Sequence, residues 1–453
     1  MLNKNDIIET EIAAMSTDAS GIARHDGMAV FVPGAALCER LCVRIVKAGK
    51  RCAYGRIESI LQPSPQRAEP ECAVYPRCGG CSLRHVLYEE ELNYKAGFVK
   101  DTLRRIGHIE PSLAEIRYGE PTRYRNKAIL PVALLQGKAV CGFYAARSHH
   151  VIQTDDCMLH PSVFSEIAAV FTGFVNEHGL SVYDETTHKG LVRALFIRKG
   201  HNSGQIMVMP IINGRMLPCF DELVDRLRGK FEENGLCSVM LNVNRKDTNV
   251  LLGEKSLVLW GSYGIEDTLC GVPLHISPHS FYQVNSHMAE VLYGIAAEYA
   301  RPAGKTVLDL YCGTGSIGLS MAGQAGQVVG VDVVEAAIEN ARANAKNAGI
   351  TNARFLCADA AQAAAEMVDQ GVRPDVVLVD PPRKGLTPEL IETIALDFAP
   401  ERIVYISCDA ATLARDAAIF AEKGYIVREG TPVDMFPRTP HVETVVLLQR
   451  QNT

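Results

Sequence analysis

The period of the apolar positions changes twice along the chain. Up to about residue 62 they fall in short strand-like segments, 7–13, 28–31, 42–47 and 54–60, alternating with turn signals at Ser20-Gly21, Asp26-Gly27, Pro33-Gly34 and Gly49-Lys50. Strands this short and closely spaced predict a small β-barrel. Gln62-Pro63-Ser64-Pro65-Gln66 then reads as a linker. The block 71–270 carries a helical stretch at 88–106 and strand-like pieces at 128–134, 191–198 and 205–211, which together suggest a mixed α+β domain of no legible topology. From residue 271 strands are expected at 306–310, 327–331, 353–356, 376–379, 402–407, 425–429 and 443–448. Helical runs at 317–322, 335–348, 360–370, 388–397 and 410–422 alternate with them. That alternation implies a parallel sheet covered by helices, an α/β fold. Three domains are expected: 1–62, 71–270 and 271–453.

The length of 453 residues agrees with several cores rather than one. No apolar run approaches the length of a membrane span, and the start is polar and acidic without a hydrophobic signal segment, so no membrane partner and a cytoplasmic location are expected. Fourteen cysteines in a reducing compartment argue for metal, cluster or catalytic thiols rather than disulfides. The net charge of −6 is unevenly spread: residues 1–150 hold 21 Lys and Arg against 16 Asp and Glu, so the excess of acid lies in the remainder. A mildly basic front is compatible with local contact to a polyanion.

Three places in the C-terminal half carry candidate chemistry. Val307-Leu308-Asp309-Leu310-Tyr311-Cys312-Gly313-Thr314-Gly315 is a strand entering a glycine-rich turn, with a helix after it. Glycines there let a ligand approach the backbone. Asp332 ends the next strand, 19 residues after Gly313, and suits a ribose diol. The glycines Gly313, Gly315 and Gly318 do not spell the pyrophosphate fingerprint, which disfavours a dinucleotide and suits S-adenosylmethionine. Asp380-Pro381-Pro382-Arg383-Lys384-Gly385 ends the fourth strand with a rigidly held carboxylate. Cys408 follows the fifth strand at the start of a helix, where a thiolate is favoured; a small core cysteine is the bland alternative.

A second constellation, Cys72-x5-Cys78-x2-Cys81, groups three thiols around Gly79-Gly80. With a fourth ligand, either zinc or an iron–sulfur cluster is chemically allowed, and spacing alone does not choose.

The ordered motifs FYQVN (281–285), DLYCGTG (309–315), VDPPRKG (379–385), SCDAATLARD (407–416) and HVETVVLL (441–448) resemble those of the S-adenosylmethionine-dependent RNA uracil-5-methyltransferases, the RumA type that makes 5-methyluridine in 23S ribosomal RNA. The resemblance extends over nearly the whole chain, and the N-terminal segment is similar to that family's TRAM domain, an OB-like RNA-binding barrel. It implies a Rossmann-like methyltransferase domain at 271–453. It also implies Cys408 as the nucleophile that attacks uracil C6 and Glu443 as the base that removes the C5 proton. Gln283, Tyr311, Asp332 and Asp380 match the cofactor contacts, and Ser316 and Asp359 lie at plausible pocket positions. The family's 4Fe-4S cluster would be held by Cys72, Cys78, Cys81 and Cys157, with Cys141 a weaker candidate for the fourth ligand. Four thiolates would close the cluster, which suggests a structural or RNA-positioning role. The partner implied is ribosomal RNA with the target uridine flipped out, since C5, C6 and a thiol cannot meet inside a helix. A transfer-RNA uridine and a non-catalytic RNA-binding protein are the alternatives. Arg123, Arg125, Lys127 and Lys384 are candidates for phosphate contact, and a monomer is expected.

Overall fold

The computed structural model describes residues 2–451. The chain forms two compact units. One comprises residues up to Phe98 together with Phe143–Ile152 and Phe436–His441. The other comprises Val99–Gly142, Gln153–Met435 and the chain from Val442 onward. Most of the central sheet and the whole sheet of the C-terminal region therefore belong to the same unit.

The first unit is built on six strands, Ile7–Glu11, Ala14–Met15, Ser20–His25, Met28–Pro33, Arg40–Ala48 and Cys52–Gln62. Their spatial order is first, fifth, sixth, fourth, third, second. Alternation along each strand sends Ile8, Val30, Val32, Leu41, Val43 and Ile45 into one core. The hairpin between Ser20–His25 and Met28–Pro33 turns on Asp26 and Gly27, both at positive φ (48° and 80°), which is what a two-residue turn matching the strand twist requires. The segment expected to be a linker is instead anchored. Ser64 is buried, and the Glu39 carboxylate accepts from Ala36 N (2.8 Å) and pairs with the Arg67 guanidinium. A buried acid needs these partners, so it pins 64–67 against the strands.

In the second unit, Val192–Lys199 pairs antiparallel with both Lys127–Leu135 and Ile206–Ile212. Ile206–Ile212 in turn pairs parallel with Leu236–Val243. Every residue of Ile206–Ile212 is buried, so its apolar run is continuous rather than alternating. A hairpin (Ile265–Leu269, Val272–Ile276) leads to the helix Ser286–Ala300, whose N-cap Asn285 accepts from Met288 N.

The remaining seven strands form one sheet in the order Ala353–Cys357, Gln327–Asp332, Thr306–Leu310, Val376–Val379, Arg402–Ser407, Glu443–Arg450, Tyr425–Val433. The first five are parallel, and Glu443–Arg450 runs antiparallel to both its neighbours. Strand order reverses at Thr306–Leu310, so the ligand crevice is expected beyond the carboxyl ends of that strand and Val376–Val379. The last strand pair is longer than its apolar run suggests, because Gly430–Val433 continues the ladder opposite Glu443–Val446. The helix expected at 388–397 is helical only over Pro388–Glu392, and a wider π-type turn, Thr393–Phe398, completes it.

Candidate active site

The five parallel strands deliver their carboxyl ends to one edge, and the motif residues lie there. Thr306–Leu310 ends in Tyr311, held at φ 67°, and the chain turns through Gly313 (53°) and Gly315 (78°) into the helix Ser316–Ala322. Positive φ is uncommon outside glycine and asparagine, so Tyr311 stores local strain at the ligand edge. Gly315 has no room for a side chain: a Cβ would stand 2.8 Å from the Phe355 ring. The turn is braced by carboxylates on backbone amides. Asp332 accepts from Gly313 N and Val334 N (both 2.9 Å), and Asp309 accepts from Gly318 N at 3.0 Å. Each Asp332 oxygen keeps a lone pair for a ligand hydroxyl.

Asp309 was part of a motif but had no role assigned from sequence. It is buried, its Oδ1 has no hydrogen-bond partner, and burial raises its carboxyl to about 7. A buried, unsatisfied acceptor behind a glycine turn suits a ligand carrying hydroxyls or positive charge, and a nucleoside sulfonium has both. Asp380, at the end of Val376–Val379, is also raised to about 7 by burial.

Cys408 and Glu443 come from neighbouring strands. Ser407 stands opposite Thr444 in the ladder, which carries Cys408 and Glu443 to the same level one step beyond. Glu443 is buried, and burial first, then the Asp380 charge, push its carboxyl up to about 8 against the pull of Arg383. Cys408 is half-buried. Burial, then Glu443, then Asp380 push its thiol up to about 11, and Arg383 opposes them. This differs from the thiolate expected at a helix N-terminus. Burial is the main reason; at the helix start itself Asp409, not Cys408, is the N-cap of Ala410–Glu422, and its carboxylate takes the Ala411 and Thr412 amides (2.9 and 3.0 Å). Two carboxylates then face the sulfur.

Gln283 lies in the loop before Ser286–Ala300. Its carbonyl accepts from Asn126 Nδ2 (2.8 Å), and Asn126 N donates to Val284 O (2.8 Å). Its side-chain amide makes no hydrogen bond among the described residues, which leaves a donor and an acceptor for a ligand edge. Asp359 caps Ala360–Asp369, accepting from Ala361 N (3.0 Å), and Ser316 shares a hydrogen bond with the Tyr293 hydroxyl (3.0 Å). Both have structural tasks that sequence could not separate from ligand contact.

One buried acid missed from sequence holds the Asp380 corner in place. Asp416, fully buried, accepts from Tyr405 Oη (2.7 Å), Leu386 N (2.8 Å) and Arg415 Nε (2.8 Å). It ties the loop after Arg383 to the helix after Cys408. Its place at the end of the SCDAATLARD motif (407–416), on the buried face of a helical run, was the signal.

In the first unit, Cys78 lies near enough to Cys72 and Cys81 for their charges to add to burial in raising its thiol. Gly80 N donates to Cys78 Sγ (3.4 Å) and Arg84 Nε to Cys81 Sγ (3.3 Å), contacts suited to electron-rich sulfur. Among the described residues, no group of three or more His, Cys, Asp or Glu side chains is arranged to hold a metal ion. The donor chemistry of the three thiols fits a sulfur-ligated group, while their arrangement is not closed around one. Cys157 lies in the second unit, beside Asp156, which pairs with Arg123 Nη1 at 2.6 Å.

Residues 274–451 match the tRNA (Uracil-5-)-methyltransferase family. An RNA methyltransferase of Halalkalibacterium halodurans is 42% identical over 454 residues, covering 100% of this chain and 98% of that protein. One of Clostridium tetani is 41% identical over 449 residues, covering 99% and 97%. The chain belongs to the RNA uracil-5-methyltransferase family. Among solved structures, the tRNA (uracil-54, C5)-methyltransferase of Pyrococcus abyssi, in complex with S-adenosyl-L-homocysteine, superposes with a TM-score of 0.77 at 27% identity, covering 97% of this chain and 100% of that one. This RNA methyltransferase thus shares its architecture from end to end with a tRNA-modifying relative. No helix among its described residues is long and apolar enough to cross a membrane.

Proposed function

We propose that this RNA methyltransferase transfers a methyl group from S-adenosylmethionine to C5 of a uridine in 23S ribosomal RNA. The observation that carries the reading is the pairing of the Cys408 thiol with the Glu443 carboxyl at the end of two adjacent strands, beside Asp380. Tyr311, Asp332, Asp380 and Gln283 would hold the donor, which when bound supplies a methyl group on a sulfonium. Uracil C5 is a poor nucleophile until a thiolate adds to C6, so Cys408, once its thiol proton and the Glu443 carboxyl proton have passed to solvent, forms the C6–S bond while the C5–C6 π pair moves towards C5 and O4 and makes C5 electron-rich. After C5 has taken the methyl group, Glu443 accepts the C5 proton. That electron pair restores the C5–C6 double bond, the C6–S bond breaks, and sulfur leaves as thiolate. A carboxyl raised to about 8 is a stronger base than an exposed one, which suits it to this proton. The substrate uridine is taken out of its stack to reach the thiol.

The N-terminal strands are read as a TRAM-like barrel. A 4Fe-4S cluster on Cys72, Cys78 and Cys81, with Cys157 added on the strength of the family resemblance, is read as structural. Iron and sulfide content, with visible absorption from iron–sulfur charge transfer, tests this directly; stoichiometric zinc or no metal in anaerobically purified protein rejects it.

A second reading, the same chemistry on a transfer-RNA uridine, is favoured by the 97% coverage of this chain by a tRNA enzyme. A TRAM-like N-terminal segment therefore does not by itself mark a ribosomal substrate. Mapping 5-methyluridine in ribosomal and transfer RNA from cells with and without the gene separates the two. Loss from neither RNA would leave a non-catalytic RNA-binding role.

A further inference from the structure

Lys127 and Arg198 face each other directly across the antiparallel pair Lys127–Leu135 and Val192–Lys199. Side chains at such positions share a face and stand close together, and like charges there destabilise the pair. No carboxylate lies within ion-pairing distance of either residue among the described residues, nor of Arg125, two positions before Lys127. The contrast with other buried arginines is sharp. Arg193, Arg402 and Arg438 also leave Nε unpartnered, but each has a carboxylate nearby, at 3.7, 3.5 and 3.6 Å. Arg198 is 1% exposed and hydrogen-bonds only to carbonyls: Nη1 donates to Ser277 O (3.1 Å) and Ser280 O (3.2 Å), while its guanidinium lies over the Phe196 ring (5.5 Å). Its Nε, like that of Arg125, is buried without a partner. Burial together with the two guanidiniums pushes the Lys127 ammonium down to about 8. A protein gains nothing in folding from three uncompensated cations in one place.

Their neighbours connect them to the candidate active site. Asn126, between Arg125 and Lys127, holds the Gln283 carbonyl and the Ser286 hydroxyl, both at 2.8 Å. The carbonyls that Arg198 grips, Ser277 and Ser280, belong to the same loop, which then exposes the Phe281 ring (70% exposed). Arg123, by contrast, is spent on Asp156 through two hydrogen bonds.

From this we infer that Arg125, Lys127 and Arg198 form a site for a phosphodiester of the RNA substrate close to the target uridine. The inference rests on the proposed reaction for its ligand. A phosphate would supply the missing negative charge and acceptors for the unpartnered guanidinium donors. The cofactor carboxylate has similar chemistry and is separated from it by the test.

The full-length protein and its Lys127→Met variant are compared for binding and methylation of unmodified, deproteinised 23S ribosomal RNA and bulk transfer RNA, for affinity to S-adenosylmethionine, and for thermal midpoint. The expected result has three parts. RNA affinity falls about tenfold, and the slope of log affinity against log salt becomes shallower by about 0.7–0.9, the value of one phosphate contact. Cofactor affinity stays within about twofold. The thermal midpoint holds or rises, because a like-charge pair is relieved. Arg125→Gln carries the same test if Lys127→Met does not fold. Unchanged RNA affinity and salt slope in a folded variant would overturn the site, as would weaker cofactor binding with RNA binding intact. Failure of the wild-type protein to methylate either RNA would instead refute the proposed reaction.

Discussion

Cys408 and Glu443 are set at one level by the register that places Ser407 opposite Thr444 on two antiparallel strands. Cys408 therefore lies where the negative charge of Glu443 is unwelcome, and this adds to burial in holding its proton. In the free protein at neutral pH both are held neutral. Charge separation waits for a ligand that brings its own positive charge or accepts the thiolate.

That coupling predicts how the thiol reacts. Alkylation of Cys408 by iodoacetamide in the free protein should be slow at pH 7 and accelerate steeply towards about 11. Glu443→Gln should speed it above pH 8, where the wild-type carboxylate is ionised, and Arg383→Gln should slow it. Equal rates in all three proteins at pH 9 would refute the coupling.

Removing the two groups should have different consequences. Cys408→Ala should abolish methyl transfer, by about 10³-fold or more, while cofactor affinity changes little. Glu443→Gln should accumulate a covalent RNA–protein adduct, visible as a denaturation-resistant band, because sulfur cannot leave until the C5 proton is taken. Turnover of either variant at the wild-type rate would count against its assigned role.

Three raised carboxyls also make stability depend on pH. Asp309 and Asp380 titrate at about 7 and Glu443 at about 8 in the folded state, against ordinary values of 3.8 and 4.5 in the unfolded chain. Between those limits the folded state binds more protons, so stability is fullest below about pH 4 with respect to these groups and falls as pH rises to about 8. Glu443→Gln should raise the thermal midpoint at pH 8.5 by a few degrees, on the order of 2–4 °C, with no gain at pH 5. A midpoint difference independent of pH would contradict the raised carboxyl.

The same groups link cofactor binding to protons. A sulfonium cation arriving beside Asp380 and Asp309 favours their ionised forms, so binding should release protons and tighten as pH rises from 6 to 8. Calorimetry in buffers of different ionisation enthalpy measures this release. Asp380→Asn should reduce it and weaken binding about tenfold or more.

Asp416→Asn should act at a distance. It exchanges a buried carboxylate for an amide among Tyr405, Leu386 N and Arg415, and costs about 2–4 kcal/mol of stability. Loss of anchoring at Leu386 should raise KM for RNA in the fraction that remains folded. Denaturant unfolding and steady-state methylation check the two effects separately.

What the amino-acid order determines by itself is local. Closely spaced short strands marked the N-terminal region, strand–helix alternation placed the parallel sheet, and the residues following its strands singled out Asp380 and Cys408, while Glu443 was named by the family resemblance alone. Gly313 and Gly315 were legible because a backbone at positive φ selects for glycine. Tyr311, which shares that conformation, was not legible for the same reason.

Only the tertiary structure decided the charges. Whether Cys408 is a thiol or a thiolate depends on how deeply it is buried and on two carboxyls from other strands. The facing of Lys127 by Arg198 without a counter-ion arises from strand register between segments far apart in the chain, and the buried roles of Asp309 and Asp416 from how the helices and loops pack on the sheet. Periodicity reports which face of an element is buried. Electrostatic energy depends on what stands opposite that face, and that is known only once the strands have paired.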